Sequence, residues 1–153
     1  MKKLICMGAL ALLAFTNKEN PTLPQLDVFM DEWHQAASDA KFEDYFGAMH
    51  NDFYFLGTAP GEKWNKAAFA EFSKPYFDAG KAWDFTATNR QWYGDTSTGV
   101  VWFDEELDTW MEDCRGSGVM KRVEGEWKLS YYNLTVLIEN EKVKEFIKLR
   151  KAK

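Results

Sequence analysis

An acidic residue beside a large ring is the first feature of this sequence that points to chemistry. Side chains of a strand alternate between two faces, so Trp102 and Asp104 share one face of a predicted strand and Glu105 lies on the other. A carboxylate buried beside a ring can act as a general base. The alternative, which we favour, is a structural ion pair between Asp104 and Arg115 of the following strand. Each face carries a ring and an acid, so the alternation leaves open which one faces a cavity.

Two glycines lie inside another predicted strand, in Arg115-Gly116-Ser117-Gly118. Glycine in a strand interior marks a bulge, or a close approach of a ring or ligand. We favour a bulge that bends the sheet. A phosphate-binding loop is less consistent with the sequence, because no helix N-terminus follows to receive the anion.

Aromatic residues make up 16% of the chain, as 7 Trp, 6 Tyr and 12 Phe. So many rings either fill a core or line a cleft for an organic ligand. In the last strand Lys128 and Ser130 are predicted to face solvent, so Tyr131 and Asn133 point inward if no bulge intervenes. The predicted ligand-binding residues are Trp64, Trp83, Trp102, Arg115, Tyr131 and Asn133. Asp104 and Tyr45 are the weak candidates for a catalytic role.

Several classes of site are disfavoured by composition. With 2 Cys and 2 His and no ligand spacing, the sequence predicts no metal site, and no motif indicates a cofactor. His34 is predicted to be a helix-face residue rather than a base. The net charge of −5 argues against a nucleic-acid partner, which requires a basic surface.

The N-terminus has the layout of a secretory signal peptide. Lys2 and Lys3 precede an apolar run at 4–15, and polar residues follow at 16–21. The run is too short to span a bilayer core of about 30 Å. We expect a signal peptide at residues 1–16, export to the periplasm or medium, and no stable membrane insertion after cleavage. An uncleaved anchor or a buried N-terminal helix is the alternative, and no Ala-x-Ala marks the cleavage point.

The rest of the chain predicts helices first and strands afterwards. Apolar residues at helical spacing indicate two helices within 25–50, and a short strand follows at 53–56. Asn65 is predicted to cap a third helix, whose main body Pro75 should distort or end and which Gly80 should stop. Four strands are predicted at 83–93, 99–107, 114–123 and 127–138. Residues 141–153 form a short basic helical segment. This order predicts an α+β fold with the helices on one face of a curved sheet.

Five segments resemble a SnoaL-like protein of the nuclear transport factor 2-like superfamily, which has the ketosteroid-isomerase-like fold. They are GTAPGEKW at 57–64, YFDAGKAW at 76–83, VWFDEELD at 101–108, CRGSGVM at 114–120 and WKLSYYNL at 127–134. The resemblance covers a domain at residues 25–140. It implies a cone-shaped, curved antiparallel sheet packed against three N-terminal helices, and a homodimer formed through the outer face of the sheet.

The resemblance implies less about activity, because relatives on this scaffold include isomerases, cyclases, dehydratases, binding proteins and assembly domains. The steroid-isomerase pattern needs a carboxylate base, a Tyr and a protonated carboxyl donor, and no motif here places all three. We therefore favour an exported domain with an aromatic-lined pocket that binds a small organic molecule or acts as an accessory. The alternative is a small isomerase, cyclase or hydrolase-like enzyme that uses a buried carboxylate as general base.

Overall fold

A computed structural model describes residues 24–152 of the chain. The predicted signal peptide at residues 1–16 lies outside the described residues. The helices are α1 (Pro24–Ser38), α2 (Phe42–Gly47), α3 (Lys66–Asp78) and α4 (Val143–Lys151). The strands are β1 (Met49–Leu56), β2 (Lys63–Asn65), β3 (Thr86–Asp95), β4 (Val100–Thr109), β5 (Glu112–Val123) and β6 (Glu126–Val136). In this part of the chain no helix is long and apolar enough to cross a bilayer.

The helices follow the apolar spacing of the sequence. In α1 the buried side chains of Leu26, Met30 and Trp33 recur at helical intervals and face the sheet. The predicted cap of α3 is present, because the Asn65 side chain accepts a hydrogen bond from the backbone N–H of Ala68 at 2.9 Å. Pro75 does not end α3, which continues to Asp78. Proline removes only its own backbone N–H, and its carbonyl still accepts a hydrogen bond from the N–H of Ala79 at 3.1 Å.

The six strands form one curved, unclosed sheet in the order β2-β1-β6-β5-β4-β3. The predicted α+β class and cone-like arrangement are confirmed, with one difference in strand direction. All neighbouring strands are antiparallel except β1 and β6, which run parallel, with Tyr54 opposite Tyr131. The first and last long strands therefore meet in the middle of the sheet.

A bulge in β6 decides which side chains of this strand face the core. Val119 of β5 lies opposite Tyr131, but Met120 lies opposite Leu129, so Ser130 is an extra residue. Its hydroxyl donates to the Val119 carbonyl at 3.1 Å. The alternation shifts by one residue beyond this point, and Tyr132 turns inward.

The strand predicted to begin at Trp83 begins three residues later, at Thr86. The ring of Trp83 instead packs among Tyr45, Phe69 and Phe77, with ring centroids 5.7–5.8 Å apart. Packing in the core therefore takes this residue out of the sheet. The predicted basic C-terminal helix is present as α4, which has no buried residue.

Candidate functional site

Glu105 is the centre of a buried polar cluster on the inner face of β4. Its side chain has 0% exposure. One carboxylate oxygen, Oε1, lies 2.8 Å from Nε2 of His34 and accepts a hydrogen bond from the Tyr132 hydroxyl at 2.6 Å. The other oxygen, Oε2, accepts from Nε of Arg90 at 2.8 Å. Residues from α1, β3, β4 and β6 therefore converge on one carboxylate.

Arg90 connects this carboxylate to the first two turns of α1. Its terminal nitrogens donate to Asp31 at 2.9 Å and to the backbone carbonyl of Asp27 at 3.2 Å. The carboxylate of Asp27 also accepts from the indole N–H of Trp92 at 2.7 Å. Arg90 is 6% exposed, and this network satisfies its charge inside the fold. The same contacts fix α1 against β3 and β4.

The charges in the cluster determine the protonation states of Glu105 and Tyr132. Burial alone would raise the pKa of Glu105, but the contact with His34, the Arg90 guanidinium and the hydrogen bond from the Tyr132 hydroxyl together lower it to about 2. The pKa of Tyr132 is raised well above its ordinary value, because the ring is buried and its hydroxyl faces the Glu105 charge. Glu105 is therefore a carboxylate and Tyr132 a neutral hydrogen-bond donor at neutral pH. An ionised carboxylate that already accepts several hydrogen bonds is a poor general base.

His34 connects the buried carboxylate of Glu105 to an open pocket. It is 5% exposed, and it lines a pocket of about 240 Å³. The pocket is lined by Asp31, His34, Gln35, Ser38, Asp84, Phe85, Thr86 and Ala87. A carboxylate only accepts hydrogen bonds, so Nε2 of His34 donates to Glu105. In the neutral ring the other nitrogen, Nδ1, then keeps its lone pair. Among residues 24–152 no hydrogen bond engages Nδ1.

Gly116 of β5 lacks a side chain, and this leaves space for the side chains of Tyr132 and Glu105. A Cβ at this position would lie 2.2 Å from the Tyr132 hydroxyl and 2.9 Å from Cγ of Glu105. At Gly118 a Cβ would lie 2.5 Å from the ring of Phe103. The bulge predicted at these glycines is absent, since the pairing with β6 is regular here and shifts only beyond Val119. The glycines instead allow the close approach of rings, which was the second interpretation.

Aromatic rings fill the space between the helices and the sheet beside the cluster. Trp33 stacks on Tyr45 with 4.7 Å between ring centroids and tilts against Tyr132 at 4.9 Å. Burial raises the pKa of Tyr45 well above its ordinary value, so its hydroxyl stays protonated. Among the described residues, neither this hydroxyl nor the indole N–H of Trp33 has a hydrogen-bond partner. Two unsatisfied donors thus lie within the aromatic interior.

The predicted site residues lie on both sides of the sheet. Trp64 and Trp83 pack against the interior rings, as does Tyr45. On the outer face of the sheet lie Trp102, Asp104, Arg115, Tyr131 and Asn133. The inward orientation predicted for Tyr131 and Asn133 is wrong, because the bulge at Ser130 reverses the alternation. Asp104 and Tyr45 therefore lie on opposite sides of the sheet.

Asp104 does not form the expected ion pair. It lies opposite Ser117, whereas Arg115 lies opposite Glu106, and no ion pair joins Asp104 to Arg115 within residues 24–152. Asp104 instead accepts a hydrogen bond from the Tyr93 hydroxyl at 2.7 Å. The buried ion pair of β4 belongs to its neighbour Glu105.

We expect the substitution Asp104→Asn to lower the free energy of unfolding by about 1 kcal/mol or less. It weakens one hydrogen bond at a half-buried position on the outer face, and an Asn oxygen still accepts from Tyr93. Urea unfolding at pH 7 measures the change. A loss of roughly 3–5 kcal/mol would restore the buried ion-pair interpretation.

Sequence reasoning missed the residues that form the cluster. The alternation in β4 placed Glu105 and a ring on one face and Asp104 and a ring on the other, so it did not show which acid is buried. His34 was expected on a helix face and is buried instead. Nothing in the sequence pattern singled out Arg90, whose role depends on α1 crossing β3.

Comparisons with known proteins agree with this architecture. Residues 27–139 match the family model of the SnoaL-like domain. No relative is found among curated proteins by sequence. An NTF2-like protein from Pseudomonas putida is 11% identical over 78% of this chain and 89% of its own, with a TM-score of 0.61.

Two further solved structures have the same fold. An NTF2-like protein from Cytophaga hutchinsonii is 16% identical over 76% of this chain and 100% of its own, with a TM-score of 0.61. A proposed scytalone dehydratase from Novosphingobium aromaticivorans is 11% identical over 76% of this chain and 84% of its own, with a TM-score of 0.63. At these identities the likeness concerns the fold.

Proposed function

The chain belongs to the SnoaL-like domain family of the NTF2-like superfamily, and we propose that it is an exported protein that binds a small organic molecule in the pocket beside His34. One observation carries the proposal. His34 is buried and held by Glu105, yet it lines an open pocket with one ring nitrogen unengaged. A small number of fixed polar groups beside an apolar wall is typical of ligand sites. Phe85 supplies the aromatic wall, and Glu105, through its hydrogen bond, holds the His34 ring in place.

A screen of small organic molecules by thermal shift tests this proposal. A ligand of the pocket should raise the melting temperature of the wild-type protein and should lose most of this effect in His34→Gln. The matched control is His50→Gln, since His50 lies on β1 outside the pocket and should leave the shift unchanged. The unliganded melting temperature of each variant shows that it folds. Equal shifts in wild type and His34→Gln would contradict the proposed site.

A second candidate function is proton transfer by His34. The carboxylate of Glu105 fixes the ring so that Nδ1 is the free acceptor, which is how a carboxylate orients a catalytic histidine. This assignment replaces Asp104 and Tyr45 as the candidate base. Exchange of ligand C–H for deuterium in D₂O, followed by NMR, separates the two functions. Binding alone gives no exchange, whereas proton transfer gives exchange that disappears in His34→Gln.

We also propose a homodimer through the outer face of the sheet. Leu134 is buried on the inner face and does not contribute to this surface, whereas Val136 is exposed. The apolar surface consists instead of rings and a valine at Tyr93, Trp102, Val119 and Tyr131. Trp102 is 51% exposed, which favours an interface.

Sedimentation at micromolar concentration should give about twice the monomer mass. Trp102→Glu should shift the protein to monomer by placing a charge in the interface. Trp110→Glu is the control, because Trp110 is 80% exposed at the turn after β4. Sedimentation of the wild-type protein as a monomer would contradict the proposed dimer.

Export is the remaining part of the proposal, and the N-terminal sequence supports it. Mass spectrometry of protein isolated from its source should find a mature N-terminus between residues 14 and 24. An intact Met1 in the soluble pool would contradict export by cleavage.

A further inference from the structure

The polar cluster holds more negative than positive charge. Three carboxylates, those of Asp27, Asp31 and Glu105, contact the single guanidinium of Arg90. Three carboxylates against one guanidinium leave two negative charges uncompensated, and one would remain even if the His34 ring carried a positive charge. Charges of one sign around a concave site attract a ligand of the opposite sign.

Most polar side chains of the pocket wall can accept hydrogen bonds. Asp31 and Asp84 line the pocket, and Nδ1 of a neutral His34 ring presents a lone pair. Each carboxylate also faces one cation, Asp31 at 2.9 Å from Arg90 and Asp84 at 3.9 Å from Lys81, and both remain mostly exposed. The amide nitrogen of Gln35 already donates to Asp39 at 2.8 Å, which leaves its oxygen available. The side-chain donors of the pocket are the hydroxyls of Ser38 and Thr86 and the second amide hydrogen of Gln35, and no Lys or Arg lines this part of the described structure.

The apolar part of the wall limits the body of the ligand. Phe85 and Ala87 are the apolar side chains that line the pocket, and Phe85 lies 6.4 Å from the His34 ring between centroids. A volume of about 240 Å³ accommodates one ring with a short chain rather than a polycyclic molecule. The wall thus combines one flat apolar surface with several acceptors.

We propose that the pocket binds a small organic cation, a primary amine carried on a single ring or a short apolar chain. This inference rests on the proposed function and names the class of its ligand. The ammonium group, which has three donors and no acceptor, lies among His34, Asp31 and Asp84. The apolar body packs against Phe85. An anion of the same shape meets repulsion from the carboxylates, and a neutral molecule gains no charge interaction.

Three probes of matched shape test the charge class: phenethylamine, 2-phenylethanol and phenylacetate. Isothermal titration calorimetry at pH 7.5 and low salt should give a dissociation constant for the amine at least about tenfold lower than for the alcohol. Phenylacetate should bind more weakly than either. The preference for the amine should decrease as salt is added, because exposed charges are screened.

A pair of variants locates the effect in the pocket. Asp84→Asn should weaken amine binding by about tenfold and leave alcohol binding unchanged, because it removes charge and keeps shape. Asp108→Asn is the control, since Asp108 is exposed on the outer face of β4 and should have no effect. Both variants should melt close to wild type.

The outcomes separate this inference from the proposed function. If the alcohol or phenylacetate binds as tightly as the amine, and this binding depends on His34, the pocket stands and the cation class is wrong. If the amine binds equally well to wild type and Asp84→Asn, the cation site is also wrong. If His34→Gln leaves all binding unchanged, the proposed function itself fails.

Discussion

Replacement of Glu105 by Gln is expected to lower the free energy of unfolding by roughly 3–5 kcal/mol. The carboxylate is fully buried and faces Arg90 and His34, so its loss leaves a buried guanidinium without its inner partner. Urea unfolding at pH 7 measures the change. Glu106→Gln is the matched control, because Glu106 is the next residue of β4, lies exposed on the outer face and should change stability little.

A double variant isolates the interaction with Arg90. Arg90→Met combined with Glu105→Gln should be more stable than the sum of the two single losses predicts, because neither charge is then left alone in the core. Asp27 and Asp31, which also contact Arg90, are at least partly exposed and can be hydrated. Strict additivity of the two single substitutions would contradict the ion pair.

The effect of Glu105 on stability should depend on pH in a defined direction. Its pKa is about 2 in the folded protein, against 4.5 ordinarily, so folding favours the ionised form. The stabilisation, about 3 kcal/mol, is complete above about pH 5 and is lost as the pH falls through 4.5 towards 2. The difference in unfolding free energy between wild type and Glu105→Gln should therefore shrink between pH 5 and about 2. A constant difference over that range would exclude a lowered pKa.

We expect the substitution Gly116→Ala to lower the free energy of unfolding by about 3 kcal/mol or more. The added methyl group would lie 2.2 Å from the Tyr132 hydroxyl, so the ring must move and its hydrogen bond to Glu105 is lost. The control is Gly47→Ala, because a Cβ at Gly47 meets nothing within 4 Å and its φ is not positive. Thermal and urea unfolding of both variants measure the contrast. If Gly116→Ala unfolds like Gly47→Ala, the close packing of Tyr132 against β5 is wrong.

The sequence predicted the helices and strands that are specified by residues close together in the chain. Asn65 precedes an apolar helical stripe, and its side chain does cap α3. The strands β4 and β5 follow from alternation and turn residues, so their pairing was predictable. The family resemblance supplied the cone-like arrangement that local signals alone do not determine.

The candidate site depends on features that are not local. A single inserted residue, Ser130, reverses the faces of β6, and nothing in the strand's composition marks it. The choice between Asp104 and Glu105 requires knowing which face of β4 meets α1. Arg90 and His34 acquire their roles only when α1 crosses the sheet. Each of these depends on contacts between residues far apart in the chain.

The parallel pairing of β1 with β6 has a consequence for the order in which the protein folds. During synthesis β1 emerges before β3 to β6, and within residues 24–152 the neighbour that follows it at once is β2, a strand of three residues. Its second neighbour, β6, follows every other strand of the described residues in chain order. Contacts that close such long loops form late and slow folding. The nascent chain therefore has no complete sheet until β6 emerges, and the apolar faces of α1 and α3 lack their full cover until then.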